Sequence, residues 1–247
     1  SLPAAMNRVQ EMISEGVDII DVGGESTRPG AARITEAEEL LRTIPVIEAI
    51  VKSFPEVTIS IDTTRANVAQ KALNAGAKII NDVSGGLADA KMAGLIAEHP
   101  KIQYIAMHWR GHSKDMQSQA VYKDVVKEVK DELDERVSAL LKAGVNPEQI
   151  ILDPGIGFAK ESQHNWQLLK EINKLHSLDL PIYIGASRKR FLADFAFPKD
   201  STDPKDRDLA TSAISSYASL NGAWAVRVHD VSGSVAAVKV TNQLEEI

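Results

Sequence analysis

The amino-acid sequence predicts an α/β barrel made of repeated strand–helix units. Seven short apolar runs recur along the 247 residues, and each ends in polar residues beside a glycine or a loop. Segments with helical spacing separate these runs, and strands that alternate with helices form parallel βαβ units. Because polar residues follow every run rather than a single crossover point, we predict a (β/α)8 barrel, with a doubly wound open sheet as the alternative.

The strands are predicted from apolar runs, which suit parallel strands buried on both faces. The runs cover residues 17–24, 57–63, 78–85, 102–108, 150–157, 181–187 and 224–230. A closed barrel of this type needs eight strands, and only seven runs are visible. The sequence starts inside a helical segment, so we expect a first strand and its loop to be missing from it. We expect residues 1–247 to form a single barrel domain.

The helices are predicted from their apolar spacing and from the residues at their ends. We predict helices over residues 2–15, 35–53, 65–75, 88–98, 120–143, 163–177, 206–221 and 232–245. Thr35 followed by Glu38 has the spacing of a capping box. Gly16, Gly76 and Gly144 follow predicted helix ends, where glycine accommodates the left-handed conformation that ends a helix.

The composition excludes several classes of function. The net charge of −6 and the pI of about 5.6 argue against a nucleic-acid-binding protein, because no basic patch stands out. The absence of cysteine excludes disulfides, thiolate nucleophiles and zinc–thiolate sites, and it fits a reducing cytoplasm. The sequence shows no apolar run of about 18 residues and no secretory signal, so we expect a cytoplasmic protein without a membrane span.

Three strand ends carry side chains suited to a polar, nitrogen-rich ring. Asp62 and Asn81 end the second and third runs, and Asp153 opens the segment DPGIGF, whose glycines let the backbone approach a ligand. A buried amide or carboxylate needs hydrogen-bond partners, and a heterocycle with adjacent donors and acceptors supplies them. Taken singly, each residue is also explained as a helix cap or an ordinary loop residue.

Two later segments carry cations suited to an anion. Ser187, Arg188 and Lys189 are predicted to open a helix, whose free N–H groups bind anions, and Lys189 is also a candidate for contacting the ring. Arg227 and His229 lie two residues apart in VRVHD, so they share a strand face and suit a phosphate or pyrophosphate. A solvated charged turn and a chance pair at a strand end are the alternatives.

The remaining candidates lie in loops. The segment DVGGESTRPGA is too rich in glycine and proline for a helix, and its Thr27 and Arg28 are placed to cover a ligand. Phe158 offers an aromatic face, although a buried Phe more often belongs to a core. The sequence contains no nucleophile elbow, no cysteine and no HExxH motif, which disfavours covalent acyl transfer and zinc hydrolysis. The pattern favours a reaction that depends on positioning and on stabilising a leaving group.

Five motifs occur along the chain in the order of a known family. They are DVGGESTRPGA, IDTTRANVAQKALNAGAKIINDVSGG, ILDPGIGFAK, GASRKRFL and VRVHDV. Together they closely resemble the dihydropteroate synthases, the sulfonamide targets of folate biosynthesis, from about residue 12 to the C-terminus. The resemblance implies a (β/α)8 barrel that joins 6-hydroxymethyl-7,8-dihydropterin pyrophosphate to 4-aminobenzoate, giving 7,8-dihydropteroate and pyrophosphate. It also implies an SN1-like mechanism in which Mg²⁺ assists the departure of pyrophosphate.

The resemblance assigns roles to individual residues. The implied catalytic residues are Asp62, Lys189, Arg227 and His229. The implied pterin pocket comprises Asp62, Asn81, Met107, Asp153, Gly185 and Lys189, and the implied pyrophosphate site comprises Asn81, Arg227 and His229. The implied 4-aminobenzoate site comprises Thr27, Arg28, Pro29, Phe158, Ser187, Lys189 and Arg190.

The chain departs from the family pattern in two respects. The family's first strand and loop, which supply an Asn for Mg²⁺ and pyrophosphate, are absent from the sequence, so no metal ligand is visible. Arg190 stands where many members have Ser, but its backbone N–H can still bind a carboxylate.

The resemblance also implies a homodimer formed through the late helices, residues 206–221 and 232–245. A pterin-binding methyltransferase, which needs no pyrophosphate site, and a non-catalytic paralogue remain as alternatives.

Overall fold

The computed structural model describes residues 1–26, 33–112 and 116–245, and it shows helices and strands in alternation. The helices are α1 (Leu2–Ser14), α2 (Glu36–Ser53), α3 (Ala66–Ala75), α4 (Met92–Glu98), α5 (Val125–Lys142), α6 (Ser162–Lys170), α7 (Asp208–Leu220) and α8 (Val231–Glu245). The strands are β1 (Ile19–Gly23), β2 (Thr58–Asp62), β3 (Ile79–Asp82), β4 (Gln103–Met107), β5 (Ile150–Asp153), β6 (Tyr183–Ile184) and β7 (Ala225–Val226). Every predicted strand and helix therefore has a counterpart, apart from the helix expected to open at Ser187.

The strands form one parallel wall in chain order. Strands β1 to β5 pair as neighbours in a five-stranded parallel sheet, and β6 pairs with β7. A parallel bridge between Leu152 and Ile182 links the two groups, and the Leu152 N–H donates to the Pro181 carbonyl at 2.8 Å. This order, with a helix after each strand, is the arrangement of a (β/α) barrel rather than of a doubly wound sheet.

The barrel wall is open on one side within the described residues. Strand β1 pairs only with β2, and β7 pairs only with β6. A cavity of about 1000 Å³ separates these two edges, with residues of α1 and α8 along its sides and inward-facing barrel residues in its lining. The count of seven strands agrees with the prediction, and the opening lies where an eighth strand would close the barrel.

The helices pack on the outer face of the wall, and a small apolar cluster fills its interior. The outer core joins buried side chains of β1 to β6 and of most helices, and the partly buried Val226 of β7 packs against it. The inner cluster contains Ile79, Ile105, Ile151 and Tyr183, with Ile19 and Ala225 packed against it. Since side chains alternate across a strand, the residue two positions further along points to the same interior. The inner cluster, called the apolar floor below, is therefore followed towards the carboxyl ends of the strands by a second layer of inward-facing residues.

Several predicted helices differ from the observed ones. No α-helix opens at Ser187, since Arg188 adopts a left-handed φ of 58° and a short 3₁₀ segment follows over Arg190–Phe195. The helix predicted over 163–177 is divided into α6 and a 3₁₀ segment, Ile172–Leu178. Thr35 accepts a hydrogen bond from the Glu38 N–H as expected, but the Glu38 carboxylate pairs with Arg42 instead of completing a capping box. Within the described residues, no helix is long and apolar enough to cross a bilayer.

Candidate active site

The site is a layer of inward-facing residues directly above the apolar floor. Each member lies two positions after a floor residue or its equivalent, at the carboxyl end of its strand. The layer comprises Asp21, Asp62, Asn81, Met107, Asp153, Gly185 and Arg227. The strand register places Asp62 beside Gly23 and Asn81, and it places Asp153 beside Met107. Six of these seven residues were predicted as site residues from the sequence, and the structure brings those six together at one end of the barrel.

Asp21 is the member of the layer that sequence reasoning left out of the site. Its Oδ2 accepts hydrogen bonds from Arg227 Nε at 2.6 Å and from Asn81 Nδ2 at 3.1 Å. Its Oδ1 is buried without a hydrogen-bond partner among the described residues. The signal that could have found it is its position at the end of the first apolar run, equivalent to Asp62 and Asp153.

Asp62 and Arg227 set the electrostatics of this half of the layer. Arg227 contacts the Asp62 Oδ2 at 3.3 Å, and its side chain is 40% exposed to the cavity. Burial and the nearby Asp21 carboxylate raise the pKa of Asp62 to about 7 despite this cation. Conversely, Asp21 is the largest influence that raises the pKa of Arg227. The two carboxylates therefore compete for one guanidinium, and a ligand cation or donor would relieve that competition.

Asp153 and Lys189 form the opposite half of the layer. Burial raises the pKa of Asp153, and the Lys189 charge and the Gly155 N–H, 2.7 Å from Oδ1, oppose that rise. Burial lowers the pKa of Lys189 to about 8, although the Asp153 charge opposes this shift. A Cβ atom on Gly185 would lie 3.9 Å from both Asp153 Oδ2 and Lys189 Nζ. Gly185 therefore leaves space between the two charged groups.

The Lys189 side chain is held between the two loops that follow β5 and β6. Its Nζ donates to the Ile156 carbonyl and lies 4.6 Å from the centre of the Phe158 ring. A Cβ atom on Gly157 would approach Lys189 Cδ to 2.7 Å, and Gly157 has a φ of +79°. Gly157 thus leaves room for the Lys189 side chain to lie against it, and the Phe158 ring lies beside the same ammonium group.

The remaining predicted residues occupy different places. Ser187 Oγ lies 2.8 Å from His229 Nδ1, and the His229 N–H donates to the same oxygen at 3.1 Å. Arg227 and His229 do not share a strand face, because β7 ends at Val226 and the two side chains contact different partners. Both nevertheless line the cavity between β1 and β7.

Two cations of the segment 187–190 do not join the inward-facing layer. Arg188 makes a two-pronged pair with Asp208, with both contacts at 2.7 Å. Arg190 is exposed. Thr27, Arg28 and Pro29 lie outside the described residues, so their predicted contacts stay predictions.

The fold and the layer define the class of protein. A parallel barrel with carboxylates, an amide and two cations at the carboxyl ends of its strands is a barrel enzyme for a small, polar, charged substrate. In the described part of the chain, no three His, Asp or Glu side chains are grouped to hold a metal ion. Catalysis at such a site rests on positioned hydrogen-bond donors and charges.

The comparisons with known proteins identify the family. The model of the pterin-binding enzyme family matches residues 1–229. The dihydropteroate synthase of Mycobacterium leprae is 49% identical over 232 residues, which are 93% of this chain and 81% of that protein. The crystal structure of the Yersinia pestis dihydropteroate synthase with a sulfonamide drug complex has a TM-score of 0.94 at 34% identity, covering 100% of this chain and 87% of that one.

A second solved structure gives the same result. The Xanthomonas albilineans dihydropteroate synthase with 4-aminobenzoic acid has a TM-score of 0.92 at 35% identity, and the match covers 100% of this chain and 86% of that one. The chain belongs to the pterin-binding enzyme family and, within it, to the dihydropteroate synthases. It is accordingly a transferase of folate biosynthesis with a (β/α)8-type barrel fold, as the sequence motifs predicted.

Proposed function

We propose that the inward-facing layer is where this chain joins 6-hydroxymethyl-7,8-dihydropterin pyrophosphate to 4-aminobenzoate. The observation that carries the proposal is the convergence of Asp62, Asn81 and Asp153 on one face above the apolar floor. These groups supply acceptors and one amide, which complement the amino and ring N–H donors and the carbonyl of a pterin. Met107 and Gly185 line the same layer and give the flat ring an uncharged surface.

Pyrophosphate is assigned to the cavity between β1 and β7. The Arg227 guanidinium carries five N–H donors, and its contacts with Asp21 and Asp62 engage Nε and one terminal nitrogen. Donors therefore remain for a phosphate oxygen, and His229 lines the same cavity. Asn81, held by Asp21, completes the proposed pyrophosphate contacts.

The 4-aminobenzoate ring is assigned to the space beside Phe158 and Lys189. The Lys189 ammonium offers a charge for the carboxylate, and the Ser187 hydroxyl and the Arg190 backbone N–H are further donors. The helix expected to bind this carboxylate is not present, so side chains and single N–H groups take that role here. Thr27, Arg28 and Pro29 stay candidates for the same site on the resemblance of their motif.

The chemistry is a substitution at the pterin methylene carbon. The bond from this carbon to the pyrophosphate oxygen breaks, and both electrons leave with pyrophosphate. Asp62 stabilises the cation that remains, while Arg227 and His229 stabilise the leaving group. The arylamine nitrogen then forms the new bond and releases one proton to water. Lys189 holds both reactants, and positioning supplies much of the rate enhancement.

Magnesium is proposed to accompany the pyrophosphate, with the Asn of the family's first loop as the protein ligand that the resemblance implies. The described residues offer no cluster of three metal-ligating side chains, whereas Mg²⁺ is often bound by one or two carboxylates, water and substrate phosphates. Bound in this way, the ion would neutralise part of the negative charge on the leaving group. The proposed steps above rest on the residues of this chain alone.

We also propose a cytoplasmic homodimer. The absence of cysteine supports a reducing compartment. Exposed apolar side chains on α7 and α8 support association through these helices.

The test of the proposed function is pyrophosphate release from the two substrates, with Lys189→Ala as the diagnostic variant. The chain should release one pyrophosphate for each 7,8-dihydropteroate formed. Lys189→Ala should weaken the binding of both substrates by about 10- to 100-fold, because one charged donor serves both. Lys52→Ala, which removes an exposed lysine of α2, is the matched control and should bind normally. A folded chain that binds the pterin without releasing pyrophosphate would contradict the proposed reaction, and unchanged affinities in Lys189→Ala would contradict the shared role.

A further inference from the structure

A buried lysine lies directly behind the proposed pterin site without contacting its open face. Lys160 is only 4% exposed. Its Nζ donates to the Phe158 carbonyl at 3.0 Å and lies 3.0 Å from His108 Nδ1. A buried cation is costly unless it is paired, and neither of these two partners is negatively charged. Because burying this charge is unfavourable, we infer that Lys160 has a role beyond packing.

The direction of the hydrogen bond between Lys160 and His108 is fixed by the other partner of His108. His108 Nε2 lies 2.9 Å from Glu132 Oε2, and Arg110 Nε lies 3.1 Å from both oxygens of that carboxylate. The carboxylate can only accept, so Nε2 carries the hydrogen and Nδ1 accepts from Lys160. Burial, followed by the Lys160 charge, lowers the pKa of His108 to about 4 and keeps this ring neutral. The chain of contacts therefore ends in Lys160, an oriented donor within the β5–α6 loop.

The same loop is held against His108, the residue that follows β4, and it is also braced within itself. The His108 N–H donates to the Asp153 carbonyl at 2.8 Å, and Lys160 holds the Phe158 carbonyl at the other end. Between them, a Cβ atom on Gly155 would lie 2.7 Å from the His108 carbonyl oxygen and 3.3 Å from Lys160 Nζ. Asp153 and Phe158 are thereby presented from a loop with little freedom to move.

We propose that Lys160 is a positioning residue for pterin binding, which fixes the Asp153–Phe158 loop against His108 and places a cation near the Asp153 carboxylate. This inference rests on the proposed assignment of Asp153 to the pterin. The Lys160 and Asp153 charges interact, and the interaction favours the charged form of both groups. The titratable or charged groups around Lys160 are His108, Arg110, Tyr122, Glu132, Asp153 and Lys189.

The test compares Lys160→Met with the wild-type chain by calorimetric titration with 6-hydroxymethyl-7,8-dihydropterin pyrophosphate. Lys160→Met should bind about 10-fold more weakly at pH 6, because Asp153 loses a cation that favours its ionised form. The loss should shrink at pH 8.5, because the wild-type chain and the variant then differ little in charge at position 160. Burial lowers the pKa of Lys160 to about 7, so the wild-type chain also lacks this charge at pH 8.5.

The control for general loosening is Leu168→Ala. Leu168 is a buried residue of α6, and its truncation destabilises the fold without removing a charge. Leu168→Ala should lower the melting temperature at least as much as Lys160→Met and leave pterin affinity unchanged at both pH values. If Lys160→Met does not fold, Lys160→Gln replaces it, since Gln keeps a donor for the Phe158 carbonyl and removes the charge. The same pH-dependent loss is expected.

Two results would overturn the inference about Lys160. One is wild-type affinity in the lysine variant at pH 6, and the other is an equal loss of affinity in Leu168→Ala. If the wild-type chain itself fails to bind the pterin, the proposed site is wrong and the inference falls with it. A wild-type chain that binds, beside a lysine variant that binds equally well, refutes the role of Lys160 alone.

Discussion

At the scale of single residues, the site contains two carboxylates, Asp62 and Asp153, whose pKa values are raised by burial. Asp21, Asp62 and Asp153 stand in one inward layer, and Arg227 neutralises the first two incompletely. A group whose pKa rises on folding holds its proton longer in the folded than in the unfolded chain. Its contribution to stability is therefore full at low pH and is lost as the pH rises through the folded pKa. The buried carboxylates therefore lower the stability of the folded protein above neutral pH, and they provide acceptors for a ligand rich in hydrogen-bond donors.

Asp62→Asn should therefore stabilise the protein above neutral pH while removing its activity. Because the pKa of Asp62 is raised to about 7, wild-type stability should fall between about pH 4 and pH 7, and the variant should lose less. We expect a gain of about 1 kcal/mol at pH 8, or about 2–4 °C in Tm, and a loss of at least about 100-fold in turnover. Thermal unfolding at pH 4.5 and pH 8 measures the difference.

The matched control for Asp62 is Asp131→Asn. Asp131 is 53% exposed on α5 and pairs with Lys127 across one helical turn, so its removal should change Tm little at either pH. If Asp62→Asn is less stable than the wild type at pH 8, then Asp62 and Asp21 do not compete unfavourably for Arg227.

At the scale of elements, the β5–α6 loop joins the fold to the site. Gly155 has a φ of +69°, and a Cβ atom there would meet the His108 carbonyl oxygen at 2.7 Å. The tight approach lets this loop lie against the end of β4, with Asp153 at its start and Phe158 near its end. A substitution here should act on both stability and ligand binding.

Gly155→Ala should cost about 1–3 kcal/mol, because a side chain is strained at this φ and no space exists for the methyl group. Urea unfolding measures the cost, with an unchanged m-value as the sign of an intact two-state transition. We also expect weaker pterin binding, since Asp153 and Phe158 would be displaced together.

Gly94→Ala is the control for this loop. Gly94 lies in α4, and a methyl group added there would meet no atom within 4 Å, so alanine should stabilise the helix by about 0.5–1 kcal/mol. Equal stability of the Gly155→Ala and Gly94→Ala variants would show that the β5–α6 loop tolerates a side chain. The close approach of Gly155 to the His108 carbonyl would then not require glycine.

At the scale of the whole molecule, the late helices carry apolar side chains that the barrel itself does not cover. Leu220 on α7 is 53% exposed, and Val240 and Leu244, one turn apart on α8, are 63% and 67% exposed. Large apolar residues clustered on neighbouring helices are typical of an interface. These helices are the ones through which we propose that two copies associate.

Val240→Asp should therefore shift the protein from dimer to monomer. A charge placed in an apolar interface loses its hydration, so the dissociation constant should rise by at least about 100-fold. Light scattering after size-exclusion chromatography measures the mass. Leu41→Asp, at a 73% exposed position of α2, should leave the mass unchanged. A monomeric wild-type chain would refute the proposed dimer without affecting the barrel or its site.

The sequence predicted much of this molecule because its signals are local. Each apolar run ends in a polar residue, and this local pattern is why Asp62, Asn81 and Asp153 were found. The helix predicted at Ser187 was wrong because the backbone at Arg188 turns left-handed while its side chain pairs with Asp208. That pair depends on a residue twenty positions away, which no local pattern reports.

What the sequence by itself determined is the alternation of strands and helices, the barrel class, and the residues at the strand ends. The tertiary structure decided which of those residues meet. It placed Asp21 between Arg227 and Asn81, gave Arg227 and His229 different partners, and brought Lys160 near Asp153. The physical reason is that backbone periodicity fixes the direction of a side chain, whereas charge pairing depends on distances between segments far apart in the chain. Those distances exist only once the barrel has formed.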